Sequence, residues 1–368
     1  MVLFFFVLLL PSGPLVHLPT SPYLVQERVN LVIMRLNLIA ILVFMWVCSP
    51  TGKSAEKYTG TKRVIFETDM GPDYDDVGAI ALLHAFADSG SVEILATMAS
   101  TKHENVGPVL DALNTWFGRP DLPIGVPKGS ALTMRDGQHW SDTLISKYPH
   151  DLMRNDDASD ATQLYRQILS QQPDSSVTII TVGFLTNIAA LMRSSADDLS
   201  PLNGEALIRQ KVKQLVCMAG RFPEGREFNI AEDALSARHV FENLDIPILF
   251  SGFEIGAKIK TGLPLIRNTA IAKSPVKDVF RISIPLARED SAGRMSWDQT
   301  AVLVGVKGHR PWYTVRRGRI RVAPDGTNTW SEEGDAHSYL VEDRPAAEVE
   351  QLINDLMMHR PVGQDSHR

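Results

Sequence analysis

The sequence predicts an α/β protein with a central, mostly parallel mixed sheet and helices on both faces. Three observations support this prediction. Apolar β-type runs alternate with helical stretches from Arg63 onward, no internal repeat or low-complexity tract interrupts that order, and polar or glycine-bearing turns follow four of the strand-like runs. Alternation of this kind is typical of parallel sheets, because each crossover between parallel strands places a helix on a face of the sheet.

The expected elements follow the chain in order. Strands are predicted at Val64–Thr68, Val92–Met98, Ile124–Val126, Val177–Val182, Val212–Met218, Ile248–Ser251 and Tyr313–Val322. Helices are predicted at Asp75–Ser89 (amphipathic), Val106–Phe117, Ala161–Gln171, Asn187–Arg193, Asp233–Asn243, Leu286–Gly305 and Ala346–Met358. Because ligands of such sheets bind outside the carboxyl ends of the strands, the turns that follow the strands are where a site is expected.

The composition is that of an ordinary globular protein with a large core. The chain has 368 residues, of which 44% are hydrophobic and 22% charged, enough for one large domain or two smaller ones. The formal net charge is -6 and no long basic run occurs, so nucleic acid is not an expected partner. Two cysteines are too few for a disulfide framework, and Cys217 lies in an apolar run that predicts a core position.

The first part of the chain is predicted to lie outside the folded domain. The apolar stretch Leu36–Val47 is too short for a comfortable membrane span and has the length of a signal-peptide core. A start at Met34 would give it the usual short basic head. We therefore expect a signal or apolar segment with a linker at residues 1–53, a folded domain at residues 54–368, and an exported protein, periplasmic or secreted. An uncleaved membrane anchor is the alternative.

Four carboxylates crowd into one turn between the first strand and the first helix. They are Asp69, Asp73, Asp75 and Asp76. Like charges at this spacing repel, so a fold rarely packs them together without a cation or a catalytic use. A helix N-terminus favours acidic side chains through the helix dipole. That accounts for the last two aspartates and leaves Asp69 unexplained.

Two familiar acidic loops do not fit this turn. An EF-hand loop that begins at Asp69 would need glycine where Tyr74 stands and a bidentate glutamate where Ile80 stands. A haloacid-dehalogenase-type phosphatase would need an aspartyl nucleophile where Glu67 stands.

The pattern as a whole resembles the nucleoside hydrolases, a family of calcium-dependent N-ribohydrolases with a Rossmann-like fold. Their signature turn, Asp-x-Asp-x-Gly-x-Asp-Asp, is similar to Glu67–Asp76 here, with Glu67 in place of the first Asp and two extra residues before the Asp pair. Further segments similar to the family follow in the same order: Val182–Ala189, Val216–Gly220, Glu227–Ile230 with Asp233 and Ala237, and Trp297–Val302.

The resemblance implies a calcium ion at the bottom of a pocket. Its ligands would be Asp69, Asp76, Asp298 and the backbone carbonyl of Val182. Oxygen ligands of this kind suit Ca²⁺. Asp75 matches the family's general base, which would take a proton from a calcium-bound water.

Asp73, which belongs to the inserted pair, is the alternative general base or a residue that supports it. An excess of negative charge around the ion would help a reaction whose transition state is a cationic sugar.

The resemblance also implies a substrate site. Glu227 and Asn229 match residues that hold the ribose hydroxyls, Met218 matches a residue packed against the sugar, and Asn105 is a candidate for a diol contact. Met218 as a plain core residue and Glu227 as a surface partner of an arginine are the alternatives. At Trp297 the best-known members have a histidine that protonates the leaving base. Tryptophan cannot do this, but it can stack on the base.

These implications lead to one expected function and two alternatives. The expected function is calcium-dependent hydrolysis of the N-glycosidic bond of a nucleoside, a small-molecule substrate, to ribose and free base. The alternatives are a calcium-dependent nucleoside- or sugar-binding protein without turnover and a hydrolase of a related glycoside that is not a nucleoside. Homo-oligomers are common in the family, although no segment of this chain indicates an interface.

Overall fold

The computed structural model describes residues 61–361. The predicted signal segment and linker at residues 1–53 lie outside the described residues, so the export of the protein stays a prediction. Within the described part, no helix combines the length and the apolar character that a membrane span requires.

Strands and helices alternate through most of the chain. The strands are β1 (Lys62–Thr68), β2 (Val92–Ala99), β3 (Ile124–Val126), β4 (Ser159–Asp160), β5 (Val177–Thr181), β6 (Val212–Met218), β7 (Glu224–Arg226), β8 (Ile248–Ser251), β9 (Lys260–Thr261), β10 (Arg294–Met295), β11 (Tyr313–Val322), β12 (Thr327–Ser331) and β13 (His337–Glu342).

The helices are α1 (Asp75–Asp88), α2 (Val106–Trp116), α3 (Trp140–Lys147), α4 (Ala161–Ser170), α5 (Thr186–Arg193), α6 (Gly204–Lys211), α7 (Phe228–Glu232), α8 (Ala234–Asn243), α9 (Phe253–Gly256), α10 (Leu263–Arg267), α11 (Pro275–Ser283), α12 (Trp297–Lys307) and α13 (Ala346–Met357).

In the described part of the chain, eleven strands form one sheet, in the order β4-β3-β2-β1-β5-β6-β8-β13-β11-β12-β7. Neighbours from β4 to β13 are parallel, and the pairs β13-β11, β11-β12 and β12-β7 are antiparallel. This arrangement confirms the predicted mostly parallel mixed sheet. β9 and β10 pair separately.

Helices cover both faces of the sheet, because side chains of a buried strand alternate between two apolar cores. In β1, Val64 and Phe66 point into a core that includes α1 and α12, and Ile65 points into the opposite core with α4, α5 and α8. Cys217 of β6 is buried in that second core, as its apolar run predicts.

The prediction that α1 is amphipathic is wrong. Twelve of its fourteen residues are buried, because the helix packs on the sheet with one side and against α12 and α13 with others. The hydrophobic stripe of a surface helix is therefore replaced by apolar residues on every side.

The prediction of one helix over Leu286–Gly305 is also wrong. The segment begins with two short 3-10 turns, continues as β10, and becomes helical only from Trp297. Gly293 explains the break, since its φ of +108° is outside the helical region, and a Cβ at this position would meet the carbonyl oxygen of Thr261 at 2.9 Å.

The sheet order creates a crevice beside β1. The chain proceeds from β1 to β2, β3 and β4 on one side and returns to β5 on the other side. Such a reversal is the position at which open α/β sheets bind ligands, outside the carboxyl ends of the strands. Here the carboxyl ends of β1, β5, β6 and β8 lie next to one another.

Candidate functional site

A cavity of about 120 Å³ lies at the carboxyl ends of β1, β5 and β6. Five carboxylates, three aromatic rings and a few other groups line it: Asp69, Asp73, Asp75, Val182, Met218, Arg226, Glu227, Phe228, Asn229, Phe253, Trp297 and Asp298. Nine of the residues that the sequence assigns to the site, including the alternative base Asp73, are among them. Asp76 and Asn105 are not.

The acidic turn and the start of α12 supply the carboxylates. Asp69 directly follows β1, Asp75 and Asp76 open α1, and Asp298 stands in the first turn of α12. All four side chains are buried. The dipoles of the two helix N-termini favour negative charge at Asp75, Asp76 and Asp298.

Three of these carboxylates have oxygens without a donor from another described residue. Asp69 and Asp298 face the cavity and receive no hydrogen bond from another side chain or from a distant backbone N–H among residues 61–361. Asp76 Oδ1 accepts from the hydroxyl of Thr68, whereas the buried Asp76 Oδ2 has no partner there. Buried carboxylate oxygens of this kind are costly unless a cation satisfies them.

Burial and mutual repulsion disfavour the charged forms of the cluster. Burial, with repulsion from Asp69 and Asp75, raises the pKa of Asp76 to about 8. Burial also raises the pKa of Asp73 to about 7, although a neighbouring arginine opposes the shift. The pKa values of Asp69 and Asp298 lie well above the usual range, first through burial and then through repulsion by the other aspartates.

The Asp75 carboxylate accepts four hydrogen bonds. Its Oδ1 accepts from Arg294 Nε at 3.0 Å and Nη2 at 2.7 Å. Its Oδ2 accepts from the backbone N–H groups of Trp297 at 3.1 Å and Asp298 at 3.2 Å. These four donors fill the roughly four acceptor sites of a carboxylate. Asp75 therefore caps the start of α12, and its role as the general base stays a prediction.

Arg294 is the main site residue that sequence reasoning missed. It lies in β10, its side chain is 9% exposed, and it forms ion pairs with Asp73 and Asp75. Its guanidinium carbon lies 5.0 Å from the centre of the Trp297 ring. In the sequence, Arg294 stands three residues before the Trp297 motif. The single helix predicted over this segment gave no reason to assign Arg294 to the site.

Three carboxylates of the cluster lie close enough together to share a cation. Asp73, Asp75 and Asp298 each place an oxygen atom within 4.8 Å of the others. The donors are hard oxygens, which suit Ca²⁺ or Mg²⁺. Of the ligands implied by the resemblance, Asp69, Asp298 and Val182 meet at the cavity. Asp76 lies beneath the lining, because its carboxylate turns toward Thr68 at the end of β1.

Asn229 and Met218 form another part of the cavity lining. Asn229 Nδ2 donates to the carbonyl oxygens of Val182 and Met218, at 3.1 Å each, and contacts Met218 Sδ at 3.4 Å. Met218 belongs to a hydrophobic core and also lines the cavity, so its contact with a sugar stays a prediction.

Glu227 is an internal cap and not a surface partner of an arginine. Its two carboxylate oxygens accept from the backbone N–H groups of Gly220, Asn229 and Ile230, and the side chain is buried. Burial raises its pKa, and these backbone donors oppose the shift. Glu227 thus fixes the start of α7 and orients Asn229 at the cavity.

An aromatic wall borders the outer part of the cavity. Trp297 packs against Phe253 with ring centres 5.2 Å apart, and its Nε1 donates to the Phe253 carbonyl at 2.8 Å. Phe228 is 44% exposed at the rim. Arg221 lies over the outer ring, with its guanidinium carbon 5.1 Å from the centre of Phe253.

Asn105 lies away from this cavity. Its amide donates to Ser141 and Asp142, and the residue borders a separate groove beside Lys102 and Asn155. The structure therefore does not bring Asn105 together with the other predicted substrate residues.

The fold and the site define an α/β protein with a carboxylate-lined cavity that suits a hard divalent cation and a small polar ligand. The chain belongs to the inosine-uridine preferring nucleoside hydrolase family, whose family model matches residues 64–350. This match confirms the resemblance seen in the sequence.

Two curated relatives share part of the chain. It is 28% identical over 206 residues to the pyrimidine-specific ribonucleoside hydrolase RihA of Shewanella baltica (strain OS185), covering 53% of this chain and 60% of the relative. It is 27% identical over 206 residues to the non-specific ribonucleoside hydrolase RihC of Salmonella agona (strain SL483), covering 54% and 62%. The matches therefore span less than two thirds of either relative.

A solved structure shows the same fold over a longer range. The purine-preferring ribonucleoside hydrolase from Gardnerella vaginalis superposes with a TM-score of 0.62 and 18% sequence identity, covering 81% of this chain and 99% of the other. At this identity the likeness concerns the fold alone.

Proposed function

We propose that the protein hydrolyses the N-glycosidic bond of a nucleoside, with Ca²⁺ as its cofactor. The observation that carries the proposal is the acidic cavity, in which the carboxylates of Asp69 and Asp298 face the interior without a donor from another described residue. Family membership supports the reaction class.

Asp69, Asp298 and the carbonyl oxygen of Val182 would hold the ion, with Asp76 as a ligand from below. A bound Ca²⁺ would make a neighbouring water easier to deprotonate and would accept the hydroxyls of a sugar. The Val182 carbonyl accepts one hydrogen bond, from Asn229, and a carbonyl oxygen has a second lone pair available.

We assign the general base to Asp69 in place of Asp75. A base needs an open acceptor site that faces the cavity, which Asp69 has and Asp75 lacks. Asp298 is the weaker candidate, because its position in the first turn of α12 stabilises its charged form. Asp69 follows a strand and has no such stabilisation, so it accepts the proton of the attacking water more readily.

The remaining charges favour cleavage of the bond. Loss of the base leaves an oxocarbenium-like sugar, and an excess of carboxylates around the cavity stabilises that positive charge. Asn229 and the Asp73 carboxylate line the cavity and would bind the sugar hydroxyls.

The described residues that line the cavity would stack on the leaving base and would not protonate it through a histidine or lysine. The described residues that line the cavity include no histidine or lysine, and the Trp297 Nε1–H is already donated to Phe253. The Trp297 and Phe253 rings present flat apolar surface to an aromatic base. We therefore expect the best substrates to be nucleosides whose base leaves without help from an acid. The names of the similar proteins include pyrimidine-specific, non-specific and purine-preferring enzymes, so they do not select one base.

The direct test is release of free base from a nucleoside panel. Inosine, uridine, cytidine and adenosine are incubated with the calcium-loaded protein, and the base is measured by chromatography. We expect base release that EDTA abolishes and added CaCl₂ restores. The Asp298→Asn protein should show neither activity nor recovery, and Asp174→Asn, at an exposed carboxylate paired with Lys211, should match the unmodified protein. Activity that survives EDTA would contradict the calcium requirement.

One observation favours a second function, a calcium-dependent nucleoside- or sugar-binding protein without turnover. The described residues that line the cavity include no histidine or lysine that could protonate the leaving base. Binding of a nucleoside in calorimetry, with no base or sugar released from any compound of the panel, would favour this function. Sugar release from other glycosides alone would instead identify a hydrolase of non-nucleoside substrates.

A further inference from the structure

The Arg294 guanidinium group contacts the carboxylates of three aspartates. Its Nε and Nη2 donate to Asp75 Oδ1 at 3.0 and 2.7 Å, its Nη2 also contacts the Asp73 carboxylate, and its Nη1 lies 3.7 Å from Asp290 Oδ2. The guanidinium group is charged under all conditions of interest. It therefore supplies a permanent positive charge to the acidic cluster.

Two aromatic rings hold this guanidinium in place. Its central carbon lies 5.1 Å from the centre of the Tyr74 ring and 5.0 Å from the Trp297 ring. The Tyr74 hydroxyl donates to Asp290 Oδ2 at 2.5 Å, which fixes the Tyr74 ring. Cation–π contacts and ion pairs together make Arg294 a rigid element and not a mobile counter-charge.

The arginine divides the acidic cluster into two parts. Asp73, Asp75 and Asp298 are close enough to share a metal ion, but the first two already bind Arg294. The carboxylates of Asp69 and Asp298 also line the cavity, and neither has a donor from another described residue. Two cations in direct contact with the same carboxylates would repel each other.

We propose that Arg294 is the resident cation of the Asp73–Asp75 part of the cluster, and that it limits the cavity to one divalent cation on the Asp69–Asp298 side. The proposal rests on the proposed calcium cofactor but not on nucleoside turnover. Arg294 also acts as a positioning residue. Through Asp75 it holds the backbone N–H groups that begin α12, and with them Asp298 and the Trp297 ring.

The test is calorimetric titration of the metal-free protein with CaCl₂. Loss of the fixed charge in Arg294→Ala should raise the calcium affinity at least about tenfold or open a second calcium site, because an unopposed pair of carboxylates attracts a cation. Arg294→Lys, which keeps the charge, should bind one calcium with about the affinity of the unmodified protein. Damage to the fold would lower the calcium affinity. An increase in the calcium affinity of Arg294→Ala therefore cannot result from misfolding. Unchanged or weaker calcium binding by Arg294→Ala overturns the proposal.

Free guanidinium provides a second readout. Guanidinium chloride at low, non-denaturing concentration should return the calcium affinity of Arg294→Ala toward that of the unmodified protein, which guanidinium should leave unchanged. A matched control is Arg166→Ala, because Arg166 is also buried and paired, with Asp197 at 2.7 Å on another part of the molecule. Its calcium affinity should not change, with or without guanidinium. No effect of guanidinium on Arg294→Ala contradicts the proposal.

A further pair of variants keeps the test decisive if Arg294→Ala does not fold. In the proposed arrangement Asp73 pairs with Arg294 and does not bind calcium. Asp73→Asn should therefore change the calcium affinity by no more than about threefold. Asp298→Asn should lower it at least about a hundredfold. Equal losses in both variants would overturn the division of the cluster. Calcium titration needs no substrate, so failure of this inference is distinguishable from failure of the proposed hydrolysis.

Discussion

The backbone N–H of Asp298 donates to the Asp75 carboxylate at 3.2 Å, across 223 residues of sequence. This bond joins the N-terminus of α12 to the N-terminus of α1, so each helix start is fixed by the other. The two helix starts on either side of the cavity are therefore coupled. We expect a substitution in the acidic turn to change the position of Trp297. The predictions below follow from this arrangement.

Replacement of Asp69 should affect the reaction more than replacement of Asp75. We expect Asp69→Asn to reduce kcat at least about a thousandfold, since general-base catalysis alone contributes about 10²–10⁴. Asp75→Asn should leave measurable turnover and should lower Tm, because the amide loses one contact to Arg294 or to the start of α12. Steady-state kinetics and calorimetry measure the two effects. An inactive Asp75→Asn protein with unchanged Tm would return the base to Asp75.

Substitution of Trp297 should separate stacking from hydrogen bonding. Trp297→Ala removes the ring that packs on Phe253. We expect KM for a nucleoside to rise about tenfold, or about 1.4 kcal/mol, which lies within the contribution of about 1–3 kcal/mol per stacked base. Trp297→Phe keeps a flat ring and loses only the bond to the Phe253 carbonyl, so KM should change less. Equal KM values for the two variants would show that the ring does not contact the base.

The stabilising effect of calcium should increase with pH. Burial and repulsion from neighbouring aspartates raise the folded-state pKa of Asp76 to about 8, above the value of about 3.9 in an unfolded chain. Without metal, the stability contributed by the protonated form is full below about pH 4 and is lost as pH rises through about 8. Calcium requires the charged form. The gain in Tm on adding CaCl₂ should therefore be small near pH 5 and large near pH 8, as measured by scanning calorimetry. A gain that falls with pH would exclude Asp76 as a ligand.

Glu67→Gln should stabilise the protein at alkaline pH. Glu67 is fully buried in β1 and accepts a hydrogen bond from the Tyr165 hydroxyl. Burial raises its pKa to about 8, against the opposing effect of that bond. The stability that the neutral acid contributes is full below about pH 4 and lost as pH rises through about 8. Glutamine keeps the shape without the charge, so the loss of Tm between about pH 6 and pH 9 should be smaller in the variant. Asp174→Asn is the control.

Much of the fold could be predicted because its parallel part obeys local rules. The strands at Ile124–Val126, Val212–Met218 and Ile248–Ser251 have the predicted bounds, since short apolar runs between turns leave few alternatives. β13 was not predicted. It enters the parallel region beside β8 from the end of the chain, and no local pattern indicates such a distant partner.

The candidate site could be predicted only where its residues follow strands. Asp69, Val182 and Met218 stand at the ends of neighbouring strands, so topology alone brings them together. Arg294 and Asp290 belong to an irregular segment whose position depends on Gly293 and on the pairing of β10 with β9. Contacts of this kind arise from tertiary packing, which neither periodicity nor spacing encodes.

Gly183 follows the cavity residue Val182 and has no room for a larger side chain. A Cβ at this position would lie 2.4 Å from the backbone nitrogen of Asp69, so the turn after β5 tolerates no larger residue without displacing the acidic floor. The rim is different, since Phe228 is 44% exposed and Arg226 lies at the surface. Among proteins with this architecture, substitutions that change ligand preference should therefore occur at the cavity entrance. The residues at the cavity floor should stay the same.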